Sequence, residues 1–142
     1  MAIYASSLIG KPTFTGGLAG DTKMVMGKIA GIGPLLVAGD KVRLAPIPRW
    51  SRIGGLWIYC EDADANATPT LRWDIGDNAL ANRYADDSIL GQAAGAQEFL
   101  TADTIGFEYT VNDEIVMTVV TAPATAPGAA FDIGFRIQYL MR

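Results

Sequence analysis

Phe131-Asp132-Ile133-Gly134-Phe135-Arg136-Ile137-Gln138-Tyr139-Leu140-Met141 decides how the chain is read. Phe131, Ile133, Phe135, Ile137 and Tyr139 fall on one side and Asp132, Gly134, Arg136 and Gln138 on the other, the period of two that a half-buried strand requires. A helix would scatter the same residues around its axis. At roughly 3.3 Å per residue the segment reaches about 36 Å, enough to cross a small sandwich from end to end. Burying five such side chains contributes about 8–15 kcal/mol before opposing terms. The stretch is expected to be a central core strand.

Working outward, the rest of the chain is also punctuated like a β protein. Sixteen glycines and seven prolines recur without a fixed period, which suits short strands joined by turns. Strands are expected at Lys23–Ala30, broken by Gly31–Pro34, and at Asp40–Leu44, ended by Pro46 and Pro48. A third runs from Arg52 to Cys60 with a kink at Gly54–Gly55, and Thr70–Gly76 brings the chain back as a hairpin with Leu71, Trp73 and Ile75 inward. Asn78 offers a helix cap for one or two turns through Tyr84. Thr104–Val111 and Glu114–Thr121 flank a tight Asn112–Asp113 turn, the second apolar on both faces and therefore deep. Residues 122–128, with Pro123 and Pro127, form a loop into the last strand. About seven strands with turn signals between them describe an all-β fold, an antiparallel β-sandwich of jelly-roll type with at most one short helix.

The first 22 residues keep neither periodicity and are interrupted by glycine and proline. They are read as an extended N-terminal arm or leader preceding a domain at 23–142. Ile3, Tyr4, Leu8 and Phe14 are its candidate anchors on a neighbour.

Composition excludes several function classes. The chain of 142 residues has no histidine and one cysteine, Cys60. The commonest general base and metal ligand is therefore missing, and no intrachain disulfide can form. Cys60 sits in an apolar run and reads as a core residue. No apolar run is long enough to span a membrane, and the N-terminus has no secretory pattern, so no membrane partner and synthesis in the cytoplasm are expected. Residues 1–60 carry a net +5 and residues 61–142 a net −9, for −4 in all. An acidic chain without a basic stripe argues against a nucleic-acid partner, while the polarity suits docking on a charged surface.

The remaining polar groups give weak signals. Asp62, Asp64 and Asn66 have the opening spacing of a calcium loop, but the sixth position is Ala67 and the twelfth Trp73, so a solvated turn is expected. Asp74, Asp77, Asp86 and Asp87 could supply a glycosidase's acid and base, without a spacing rule to select a pair. Trp73 alternates inward, which leaves Trp50 and Trp57 as candidates for a partner surface. No catalytic residue and no cofactor is indicated.

The order of segments resembles a known group. Ala38–Leu44 with Pro46 and Pro48, a strand ending near Cys60, Thr70–Gly76, Arg83-Tyr84-Ala85 and an alanine-threonine-proline loop before an alternating last strand are similar to small structural proteins of tailed bacteriophage particles, above all capsid decoration, or cement, proteins. The resemblance covers residues 23–142. It implies a non-enzymatic virion protein on the outer capsid surface, made in the bacterial host, commonly a homotrimer bound to the major capsid protein and bracing its subunits. A tail, neck or fibre-base component, or a carbohydrate-binding or hydrolytic domain, are the alternative classes.

Overall fold

The computed structural model describes residues 1–10 and 22–141. They form ten strands: β1 (Ile3–Ala5), β2 (Thr22–Ile32), β3 (Lys41–Ile47), β4 (Ser51–Cys60), β5 (Arg72–Gly76), β6 (Ala85–Ser88), β7 (Gly95–Glu98), β8 (Glu108–Tyr109), β9 (Asp113–Thr121) and β10 (Phe131–Met141). There is no helix among the described residues, and so none that could cross a membrane. One sheet is ordered β1-β3-β9-β5-β6 and the other β2-β10-β4-β7, with β8 paired to β4. All neighbours are antiparallel except β1 and β3. The chain changes sheet at most connections, as in a jelly roll, and the fold is the β-sandwich the alternation predicts.

β10 lies between β2 and β4 in the second sheet. Its inward residues pair across both neighbours: Ile133 with Ile29 and Cys60, Phe135 with Gly27 and Ile58, Ile137 with Val25 and Leu56. A side chain on Gly27 would run into the Phe135 ring, so the ring occupies the space that the glycine leaves. Across the sandwich these residues meet Val42, Leu44 and Ile47 of β3, Ile115, Met117 and Val119 of β9, and Trp73 and Ile75 of β5, all buried. The Tyr139 hydroxyl donates to the Pro46 carbonyl at 2.7 Å and ties the two sheets polar atom to polar atom. β9 holds the matching central place between β3 and β5, and even its outward Val116 is buried, as the apolar faces predict.

Local irregularities have local causes. The register between β10 and β4 slips by one at Gly54, the kink expected at Gly54–Gly55. β3 continues through Pro46 because β1 covers only Lys41–Arg43, which leaves Pro46 beside an open edge where its missing N–H costs no ladder bond.

Three expected elements differ. Arg52–Cys60 and Thr70–Gly76 are no hairpin: β4 and β5 belong to different sheets, and residues 61–71 cross between them. The Asn78 helix is absent because Asp77 turns the chain instead. Its Oδ1 accepts the N–H groups of Ala79 and Leu80, Asp77 N–H donates back to the Leu80 carbonyl, and the chain returns so closely over Gly76 that any side chain there would strike it. Thr104–Val111 is mostly turn, with Thr104 and Thr101 bonded to each other, and only Glu108–Tyr109 is strand. The alternation in that segment is real, but Ile105 and Val111 face solvent.

Truncating Ile137 to alanine, fully buried at the middle of β10, should cost about 2–5 kcal/mol in denaturant titration, while Gln138→Ala on the opposite side of the strand should stay within about 0.5 kcal/mol.

Candidate interaction surfaces

Asp64 is buried and both its oxygens are fully engaged. Oδ2 accepts N–H groups from Thr70 at 2.7 Å, Ala124 at 2.9 Å and Leu71 at 3.0 Å; Oδ1 accepts from Thr125 at 3.1 Å and Asn66 at 3.3 Å. The carboxylate thus joins the β4–β5 crossover to the β9–β10 crossover. Burial pushes its pKa up, but the N–H donors from Ala124, Thr125, Thr70 and Leu71 together outweigh burial and hold it at about 2. Asp62 accepts Asp64 N–H, and Asn66 binds Thr68 N–H and the Thr125 hydroxyl. The alternating spacing that looked like a cation loop serves to pin two loops together.

The other carboxylates divide. Asp77 is buried and holds Arg83, the Tyr109 hydroxyl and its own turn; Tyr109 in turn meets the Tyr84 hydroxyl at 2.6 Å. Burial raises both tyrosines, Tyr84 to about 12, so the network is neutral at its hydroxyls at ordinary pH. Asp74, Asp86 and Asp87 converge on the outer side of the first sheet, their nearest oxygens within 4.8 Å of one another. Asp74 is raised by burial first and by the two neighbouring carboxylates, against the Asp87 N–H that it accepts. Trp57 and Tyr59, the aromatic residues on an outer sheet face, stand on the other sheet, so these three carboxylates and those rings lie on opposite faces. Cys60 is buried in the core and its thiol is pushed up to about 12 by burial and by Glu61 and Asp62, which makes it unreactive.

Of the candidate partner residues, Trp57 lies on the outer face of the second sheet. Its ring rests over Gly55, where any side chain would collide with it, and Arg136 stacks over the ring at 4.1 Å from its centroid. Gly55 is therefore a seat for the indole. Trp50 sits at the β3–β4 turn with φ of 63°, a left-handed conformation unusual for a bulky aromatic. Its backbone N–H donates to the Tyr109 carbonyl, and Arg49 N–H to the Asn112 side chain at 2.9 Å; the residue remains 42% exposed. At the N-terminus Ile3–Ala5 is a strand of the first sheet, and Tyr4 and Leu8 pack on the chain's own core, while Ile3 is 56% exposed. Ser6 donates its hydroxyl to Leu44, and Asp40 accepts Ala2 N–H at 2.6 Å, so this segment is fastened to β3. Phe14 lies outside the described residues.

Sequence reading missed Met24, Met26 and Tyr59, exposed by 52%, 68% and 44% on the same face as Trp57. The signal was present in Met24-x-Met26, alternate thioethers on the strand side opposite Val25, but it belongs to a surface that only the strand order assembles.

No protein-family model matches the chain, and no curated protein is similar to it. Solved structures are. Over 99% of both chains it superposes on a chain of the capsid of Ralstonia phage GP4, with a TM-score of 0.82 and 20% identity. Its fold is one found in phage capsids. A chain of the cyanophage Pam1 capsid asymmetric unit matches over 96% of both chains at 0.69 and 24% identity. One from the acidic stable capsid of Helicobacter pylori bacteriophage KHP30 matches over 84% of this chain and 87% of that one, at 0.56 and 12%. At these identities the likeness is one of fold, and it runs in the direction of the resemblance drawn from the sequence.

A carboxylate whose pKa falls on folding stabilises the folded state above the unfolded value and loses that contribution as pH drops through the folded one. Asp64 should therefore contribute about 2 kcal/mol above pH 4 and lose it between about pH 4 and pH 2. Chemical denaturation across that range should show a slope that is flattened in Asp64→Asn, with Asp64→Ala losing about 2–4 kcal/mol at neutral pH.

Proposed function

We propose that this chain is a virion structural protein that binds the outside of a bacteriophage capsid and stabilises contacts between capsid subunits. The observation that carries the reading is the end-to-end superposition on a phage capsid chain, 99% of each. A chain of matching length and fold belongs to a phage capsid, and this sandwich has an outer face able to meet a partner. The partner in this reading is the major capsid protein, the oligomer a homotrimer, and the role non-enzymatic, with no cofactor, nucleic acid or membrane.

Trp57, Trp50 and Ile3 are the proposed partner contacts, on the second sheet, at the β3–β4 turn and at the fastened N-terminus respectively; all three are at least partly exposed. Mechanically, each copy would span a seam between capsid subunits. Internal pressure must then break its contacts before the subunits part, and repetition over the shell multiplies a modest affinity per copy.

Purified particles provide the test. Electron microscopy should find the protein in many copies at symmetry positions on the shell, and stripping it should lower the temperature at which particles release their genome. A few copies in a ring at the tail or neck, or bare shells as heat-resistant as decorated ones, would overturn the proposal.

A further inference from the structure

The register lays out the second sheet's outer face residue by residue. One row across β2, β10, β4 and β7 is Met26, Arg136, Trp57 and Glu98; the next is Lys28, Gly134, Tyr59 and Ala96. Gly134 contributes no side chain to the second row, so a groove of about 640 Å³ opens at the middle of the sheet, walled by Met26, Trp57, Tyr59 and Arg136.

The charges on this face are unevenly satisfied. Lys28 is paired with Asp132 at 2.7 Å. Arg136 lies on the Trp57 ring and, among the described residues, joins no ion pair; Glu98 stands beyond the indole, on the neighbouring strand. On the first sheet's outer face, by contrast, Arg43 is held by both oxygens of Glu114, and Lys41 reaches the Thr118 hydroxyl. An exposed guanidinium stacked on tryptophan beside an apolar hollow is the combination that carries binding energy at protein interfaces.

We infer that this groove is the docking site for an acidic, apolar segment of a capsid protein: one apolar side chain enters the hollow over Gly134 between Trp57 and Tyr59, and a carboxylate beside it meets Arg136. The inference rests on the capsid-binding reading and names the surface that performs it. Charge complementarity selects the occupant. A carboxylate completes the unpaired Arg136, whereas the lining residues include no carboxylate or amide side chain of the kind that fixes a sugar's hydroxyls.

Gly134 also provides a clean test. A Cβ there would meet nothing closer than the Gly27 carbonyl oxygen at 3.9 Å and Tyr59 Cβ at 4.0 Å, so Gly134→Phe fills the hollow from a strand position that favours aromatic residues. Full-length protein would be titrated onto phage particles stripped of it and bound protein read by co-sedimentation. Gly134→Phe and Arg136→Glu should each weaken binding at least about tenfold, Gly134→Phe with a melting temperature no lower than that of the unaltered chain and Arg136→Glu with at most the small loss expected from its missing ring contact; Val120→Ser on the other sheet should bind normally. If both groove variants bind like the unaltered protein, the docking site is elsewhere and capsid binding itself stands. Failure of the unaltered protein to bind would overturn both readings. A changed oligomeric state in Gly134→Phe with particle binding intact would assign the groove to a second copy and overturn the proposal.

Discussion

The alternation along β10 is the constraint on which the rest depends. A strand between two neighbours exposes only its faces, so every second residue must be apolar for the core and every other one is set on the surface. Phe131, Ile133, Phe135, Ile137 and Tyr139 are all buried. The same period places Gly134 and Arg136 outward, beside Trp57 and Tyr59 from β4 and Met26 and Lys28 from β2. Core and candidate contact surface are two sides of one strand, and a slip of one residue would destroy both.

Sandwiches also need their sheets held in register at the ends, where loops leave backbone groups without ladder partners. Asp64 meets that need with a single buried carboxylate serving five N–H groups from two crossovers. At the other end Asp77 organises Arg83, Tyr109 and, through it, Tyr84. Both are acidic residues that sequence reading entertained as metal or catalytic groups. Their chemistry is the same, acceptance of several donors, but the donors are the protein's own.

What was legible follows from range. β10 agrees residue for residue with the alternating stretch, and β2 and β9 agree within a few residues, because a half-wet or fully buried strand writes its environment into consecutive residues. Pairing is not written there. Arg52–Cys60 and Thr70–Gly76 are neighbours in sequence and were joined as a hairpin, yet β4 pairs with β10, about eighty residues on. The Asn78 cap failed because Asp77, one residue earlier, had stronger partners in Arg83 and Tyr109. Trp57 was read as a candidate partner contact and lies half-buried on the outer face of the second sheet, but the groove beside it was not legible, since its walls come from three strands far apart in the chain and its opening from a glycine that reads only as a weak point in a strand.

The chain is thus a sandwich whose second sheet carries a partly apolar outer face around Arg136 and Trp57, in a fold shared with chains of phage capsids. If the second sheet's face is what meets the shell, its oxidisable side chains report on it directly. Hydroxyl-radical footprinting read by mass spectrometry should find Met24, Met26, Trp57 and Tyr59 strongly protected in assembled particles relative to the free protein, with Val120 and Leu80, which are exposed on other parts of the surface, unchanged. Equal oxidation of Met26 and Tyr59 in the free and particle-bound protein would contradict the account.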